Sequence, residues 1–331
     1  MSMAKAKCTY CGETLETEST LRSSVCPHCG RPFLMEEAVR FYEHPDFMVI
    51  GGELVKYTGT QAEVELPGFV VSIGEAAFYC CKSLKRVTIP TSVLRIGRMA
   101  FHGCEALESI TIPNSVDVIG EDAFSECGNL KNIAIPDSVA LIDDRAFALC
   151  TGLTSISLPG ARRIGDFAFG GCTELENVTL PHSMDKIGEL AFDGCVSLER
   201  VTFPKHVSRV GEGAFSRCTS LTSAVIPQGL THLPDHMFLR CTSLKDVTFR
   251  ESLGICTIGS GTFAHCTSLE CVALPYGTLS IGDYAFAGCT SLNRIFIPKG
   301  VKKAGDSVFD GCTSLEGPTL FGRLRTNEVE D

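Results

Sequence analysis

No tryptophan occurs in the 331 residues, and no apolar run approaches the roughly 20 residues needed to span a bilayer. Basic residues are outnumbered, 29 Lys and Arg against 39 Asp and Glu, leaving a net charge of −10. As a whole such a surface repels nucleic acid and anionic membrane, so neither is the expected partner. The opening MSMAKAKCTYCG lacks the apolar stretch of a secretory signal. The expected compartment is therefore the reducing cytoplasm, where structural disulfides are rare, with a surface location left open. There is also no phosphate-binding glycine loop, nucleophile elbow or dinucleotide fingerprint, so an enzyme is not expected. His232 and His236 have the spacing of a helical metal pair, but Pro234 lies between them and a surface or corner role is the better reading. Asp143-Asp144 reads as a turn.

What the chain has in abundance is cysteine, 18 residues, and a repeat that places most of them. Phenylalanine recurs at 78, 101, 124, 147, 169, 192, 215, 238, 263, 286 and 309, in steps of 23 with one of 22 and one of 25. A Cys follows each Phe by three residues, from Cys81 to Cys312, and a Leu follows by six, from Leu84 to Leu315. Each unit reads I-G-x-x-A-F-x-G-C-x-S-L-x-x-V-x-I-P, and eleven copies make the period the dominant fact of the sequence.

The chemistry of one unit predicts its shape. Val87-Thr88-Ile89 alternates apolar and polar as a short half-buried strand does, and Pro90 ends it because proline cannot donate to a ladder. Gly74 permits a tight corner, and Glu75 to Phe78 is long enough for one helical turn. A single coil cannot bury its apolar residues, whereas stacked coils lay each Phe, Cys, Leu, Val and Ile on its equivalent in the next. The expected fold is a repeat solenoid, leucine-rich-repeat-like, of about 23 residues per coil, with short parallel strands and short helical turns, about 50 Å long. The Cys column then sits inside as a small hydrophobe. Disulfides are disfavoured because the column is odd in number, and catalysis because a catalytic thiol is one residue with a His partner. Cys80, Cys256 and Cys271 fall outside the register and receive no role.

"IGRMAFHGCEALESITIP" (96–113) and "IGDYAFAGCTSLNRIFIP" (281–298) resemble the BspA-like leucine-rich repeat family of bacterial proteins. The resemblance covers about three quarters of the chain. It implies protein binding, often at cell surfaces, so a cell-surface adhesin is one alternative. "FMVIGGELVKYTGTQAEVELP" (47–67) also looks like that family's opening cap, with Gly51-Gly52 turning a hairpin. Departures gather late: Leu233-Pro234 replaces Ile-Gly, and the strand pattern fails at Gly317-Pro318, making the last coil a degenerate cap before an acidic tail.

Four cysteines lie outside the repeat in "CTYCGETLETESTLRSSVCPHCG". Cys8, Cys11, Cys26 and Cys29 form C-x2-C, fourteen residues, C-x2-C, each pair followed by Gly, which is the pattern of a four-thiolate zinc site. Four thiolates close the shell, so the Zn2+ is expected to be structural. A segment this short needs such a staple. The stretch resembles zinc ribbons of the bacterial cytoplasmic type. Cys26-Pro27-His28-Cys29 alone has the form of a thioredoxin-like redox motif, but no alpha/beta domain fits around it, and His28 reads as a bystander.

The resulting organisation is a zinc ribbon (1–33), a linker or short helix (34–46), an N-terminal hairpin cap (47–67), a solenoid of eleven repeats (68–316) and a C-terminal cap with acidic tail (317–331). Outward strand positions offer a polar face that includes Arg86, Thr88, Asn132, Asn177, Arg200, Thr202, Asp246 and Arg294. It is either a solvated sheet face or a shallow binding surface of the kind solenoids present. The primary expectation is a non-catalytic protein-interaction scaffold with an unidentified protein partner and no membrane contact. A nucleic-acid-associated regulator acting through the ribbon stays as an alternative, supported by only four nearby basic residues, Lys5, Lys7, Arg22 and Arg31.

Overall fold

Val87 is buried between exposed Arg86 and Thr88, and the same alternation marks Ser109–Thr111, Asn132–Ala134 and Ser155–Ser157. A computed structural model of the chain describes residues 3–18, 22–35, 44–250, 257–315 and 319–320. In it each coil carries this first strand, a turn closed by the Val93 N–H on the Pro90 carbonyl at 3.1 Å, and a second strand of two residues such as Arg95–Ile96. Both strands pair in parallel and in register with neighbouring coils, as where Ile110 lies between Val87 and Ile133 and Ile96 between Ile73 and Ile119; the first-strand ladder is interrupted once, between Asn177–Thr179 and Arg200–Thr202. Like therefore stacks on like, as the repeat requires.

The third side of each coil departs from expectation. No helix interrupts the described coils; the segment expected as a helical turn is a run of consecutive tight turns. An α-helix needs successive N–H groups to bond four residues back. Here every second N–H is taken by the next coil: those of Ala76, Phe78 and Cys80 donate to the carbonyls of Arg98, Ala100 and His102 at 2.9, 2.7 and 2.8 Å. The intervening N–H groups of Ala77, Tyr79 and Cys81 close four-residue β-turns on the carbonyls of Gly74, Ala76 and Phe78. Alternating the N–H directions in this way puts Ala76 and Cys80 in the left-handed region, both at φ 54°. The same two slots in the following coil hold Met99 and Gly103. The fold is thus a β-solenoid of short parallel strands and turns.

Inside, the eleven Phe side chains form one column. Neighbouring rings lie 4.8 Å (Phe78–Phe101) to 5.9 Å (Phe215–Phe238) apart and near parallel, so the coil spacing imposes offset stacking. The column continues into a hairpin, β5 (Phe47–Ile50) and β6 (Glu53–Tyr57), the fifth and sixth strands of the chain. Its Tyr57 ring sits 5.0 Å from Phe78. Leu54 of β6 pairs beside Ile73, covering the first coil's strand edge.

The thiols do more than fill space. Ten of the column, Cys104 to Cys312, place Sγ 3.0–3.2 Å from the carbonyl oxygen of the Phe in the preceding coil, from Phe78 to Phe286. That oxygen already accepts the N–H of its own coil's Cys, as in Cys81 to Phe78 at 3.1 Å. The S–H therefore donates to a buried carbonyl's second lone pair, which neither Ala nor Leu could do. From Cys127 to Cys266 burial is the main force raising the thiols above their ordinary value near 9, and Cys150 is pushed up to about 12; at the two ends contact with the neighbouring thiol dominates, raising Cys104 and Cys289 and lowering Cys312.

Two sequence departures have structural consequences. The second-strand sheet runs unbroken from β6 to Arg209–Val210, then restarts at His232–Leu233. Gly188 and Gly211 donate their N–H to Ile164 and Ile187 in this ladder, both at 2.9 Å; at the next step stands Pro234, which has no N–H to give. At the far end, Thr319–Leu320 pairs with Phe296–Ile297, so the strand pattern expected to fail at Gly317-Pro318 resumes just beyond it. Of the linker or short helix expected over 34–46, Leu34 belongs to the strand Pro32–Leu34, and residues 36–43 lie outside the described residues.

Truncating one ring, Phe147→Ala, should cost roughly 3–5 kcal/mol in denaturant unfolding, because the ring is fully buried between Phe124 and Phe169. The nine buried column thiols, Cys104 to Cys289, should stay unreactive toward an aromatic disulfide reagent until the chain unfolds. Their raised values also set a pH dependence. Folding stability is intact below pH ~9 and falls above it, by roughly 1.4 kcal/mol per pH unit for each thiol that ionises only when unfolded. Equilibrium unfolding between pH 8 and 10 measures this.

Candidate metal centre and repeat surface

The N-terminal cysteines sit on two similar hairpins. Strands β1 (Met3–Lys7) and β2 (Thr14–Glu18) pair antiparallel, as do β3 (Ser23–Val25) and β4 (Pro32–Leu34). Each hairpin closes through a Cys-x-x-Cys-Gly knuckle. Cys8 donates its N–H to the Glu13 carbonyl and Gly12 donates back to Cys8, both at 2.9 Å. Cys26 and Gly30 repeat the pattern with Arg31 and Cys26, at 3.0 and 2.9 Å. The knuckle needs a left-handed residue at its end, supplied by Gly12 (φ 75°) and Gly30 (φ 70°).

This arrangement brings all four sulfurs within 4.8 Å of one another. Cys8 and Cys29 are 3.7 Å apart and Cys11 and Cys26 3.6 Å. A disulfide would need about 2.05 Å. A tetrahedral ion with bonds of about 2.3 Å places its sulfur ligands about 3.8 Å apart, so the cluster has the dimensions of a metal site. Its electrostatics also fit a cation. The Tyr10 N–H points at Cys8 Sγ at 3.4 Å. N–H groups of Cys29 and then His28 help hold Cys26 down to about 6. The Glu13 backbone lowers Cys11, but burial and the three other thiols together push it up to about 12, because four thiolates cannot coexist here without a positive charge. Among the described residues the surrounding core is Ala6, Cys8, Cys26, Phe33 and Met35 with Leu15 against it, a small core to which a bound metal would add stability. His28 is exposed and outside the cluster. Each cysteine of Cys26-Pro27-His28-Cys29 faces a sulfur of the other hairpin, which suits metal and not a two-thiol redox pair.

On the solenoid, Arg86, Thr88, Asn132, Asn177, Arg200, Thr202, Asp246 and Arg294 all occupy exposed positions of the first strands. Register places Asn132 between Ser109 and Ser155, and Arg200 beside Ser223. Arg86 is held by Glu63 at 3.1 Å. His232 and His236 do not converge: His232 Nδ1 contacts Thr257 Oγ1, while His236 Nδ1 lies 3.1 Å from Glu212 Oε1. Among the described residues no helix is long and apolar enough to cross a membrane.

Residues 49–161, 141–256 and 252–328 match the sequence profile of the family described as BspA type Leucine rich repeat region (6 copies). A leucine rich cell surface protein of Faecalibacterium prausnitzii A2-165 is similar in structure, at 30% identity and TM-score 0.51, over 84% of this chain and 93% of that one. A leucine-rich repeat protein of Bacteroides ovatus ATCC 8483 shares 27% identity over 89% and 92% of the two chains, with TM-score 0.42. One from Eubacterium ventriosum ATCC 27560 shares 19% over 81% and 90%, with TM-score 0.50. No curated protein sequence matches the chain significantly.

Elemental analysis of purified protein should find one zinc per chain, absent from Cys26→Ser. Acidification should release it, since protons compete for the thiolates. A metal-free wild-type protein whose 1–35 region stays protected from protease would count against the site.

Proposed function

Because the chain belongs to the BspA type leucine-rich repeat family, we propose that it is a non-catalytic scaffold that binds a protein partner on its repeat surface. The solenoid type is that of binding scaffolds. The observation that supports the reading is the first-strand face, where Arg86, Asn132, Asn177, Arg200, Asp246 and Arg294 occupy the same exposed position of successive stacked strands. Such a face offers many shallow contacts already held in place, which lowers the ordering cost of association. In this reading the ribbon is closed by a structural Zn2+, which binds the four thiolates and supplies no open position for chemistry.

An adhesin is the second reading, favoured by the 30% identical relative described as a cell surface protein. Against it stand the exposed thiols Cys80 and Cys271 and the thiolate cluster, which suit a reducing compartment and hence the cytoplasm. A nucleic-acid role for the ribbon has only Lys5, Lys7, Arg22 and Arg31 as phosphate contacts.

The test is affinity capture from the native cell with the full chain and with Arg200→Glu/Asn177→Lys. The scaffold reading expects a protein recovered with the wild type and reduced at least about tenfold with the variant, a loss of roughly 1.4 kcal/mol. Equal recovery by both folded proteins would remove the first-strand face as the binding surface.

A further inference from the structure

The second strand of each coil sets one outward side chain against its equivalents in the neighbouring coils, and along the rod this row changes character. Val118 pairs beside Leu141, Leu141 beside Arg163, Arg163 beside Lys186 and Lys186 beside Arg209, one residue per coil. Arg95 stands before Val118, and after Arg209 the sheet divides. Val118 and Leu141 are half-buried, so part of their apolar surface meets solvent. Arg163 and Arg209 are exposed and Lys186 is half-buried. None of these three cations has an ion-pair partner among the described residues. Like charges opposite one another in a ladder are destabilising, so the stack is a cost to the isolated chain. The residues just before the row are Ala140, Arg162, Asp185 and Ser208, and the Asp185 carboxylate accepts the Ser208 hydroxyl at 2.7 Å. A protein of net charge −10 thus carries a locally basic stretch that follows an apolar step.

The complement of this row is two apolar groups followed by three carboxylates, each one coil apart. A polyanion charged along its whole length, such as nucleic acid or a sulfated glycan, would lay charge on Val118 and Leu141 and be repelled by the protein as a whole. Spacing then selects the backbone. Five stacked strands at about 4.8 Å span about 19 Å. An α-helix repeats a face about every 5.4 Å and covers four such steps in about 22 Å. An extended chain repeats a face about every 6.7 Å and needs about 27 Å. Long Arg and Lys side chains absorb the helix's small excess but not the strand's. One residue per helical turn therefore meets one residue per coil, the i, i+4, i+7 spacing by which amphipathic helices are recognised.

We propose that the second-strand face from Val118 to Arg209 binds an amphipathic α-helix of a partner protein, lying along the rod. Two of its apolar residues cover Val118 and Leu141, and one Asp or Glu per turn meets Arg163, Lys186 and Arg209. The proposal rests on the reading of the chain as a protein-binding scaffold, adds a face separate from the first strands, and states the partner's chemistry. The ion pairs supply orientation and the apolar pair fixes the register. At about 0.1 M salt the Debye length of about 10 Å spares touching pairs; at about 1 M it is about 3 Å and they weaken.

Fluorescence anisotropy with the full chain and a synthetic alanine-based helical peptide tests this, the peptide carrying two Leu and then three Glu, one per turn. The expected result is saturable binding at about 0.1 M salt that weakens at least about tenfold at about 1 M. A peptide of the same composition with Leu and Glu scattered around the helix should bind at least about tenfold more weakly. Lys186→Glu should also weaken binding about tenfold. It puts a carboxylate between Arg163 and Arg209, so it should unfold at no lower temperature than wild type, which separates lost binding from lost folding. Arg163→Glu/Lys186→Glu/Arg209→Glu should reject the Glu peptide and bind its counterpart with Lys in place of Glu. Three results would each overturn the proposal: no saturation by the Glu peptide up to about 1 mM, equal affinity for the scattered peptide, or tighter binding of heparin than of the Glu peptide to this face. The peptide measurement and the capture experiment on the first-strand face vary different residues, so each reading stands or falls by its own result.

Discussion

Every second N–H on the turn side of a coil is donated to the coil above it, and the rest of the molecule follows from that commitment. A backbone whose hydrogen bonds leave the coil cannot form a helix within it, so the turns take left-handed residues at regular slots. Once the carbonyls of one coil are tied to the N–H groups of the next, the side chains have no choice of neighbour. Phe must meet Phe and Ile must meet Ile, and any residue that fits once fits at each repeat. The stacking also explains why the molecule tolerates a coil of 22 residues and one of 25: length changes are absorbed between the fixed ladders.

The same commitment gives the buried cysteines their role. Each Phe carbonyl is reached by the N–H of its own coil and by the thiol of the coil above, so the sulfur closes a polar gap as well as a steric one. The column is a ladder of weak S–H donors laid along a ladder of rings. Such thiols are hard to ionise, and they link stability to alkaline pH. The N-terminal thiols are the opposite case. They lie in knuckles whose N–H groups point at sulfur, and they crowd to 3.6–3.7 Å, dimensions that can hold a cation. One residue type serves two purposes, and its surroundings decide which.

A repeated coil also writes its surface in stripes. Any outward position becomes a row with the pitch of the backbone. Where Pro234 removes the ladder N–H, the second-strand sheet divides, and at the same step the Phe column opens to its widest spacing, 5.9 Å between Phe215 and Phe238, while the rings stay stacked.

Much of this was legible in the residues alone. The 23-residue step, the alternation at Val87-Thr88-Ile89, the inward Cys and the paired Cys-x-x-Cys-Gly knuckles each carry a local signature, because strand alternation and metal spacing are set by neighbours in sequence. What stayed hidden was set by neighbours in space. Glu75 to Phe78 has the composition of a helical turn, and only the next coil's claim on its N–H groups makes it a chain of tight turns. The thiol's acceptor lies 25 to 28 residues away, and the row of Arg163, Lys186 and Arg209 exists only once coils are in register. The sequence by itself determined that identical coils stack and that four thiols gather; the tertiary structure decided which hydrogen bonds bind coil to coil and which charges become neighbours. Those bonds and rows join residues a full repeat apart, where no short-range pattern can speak for them.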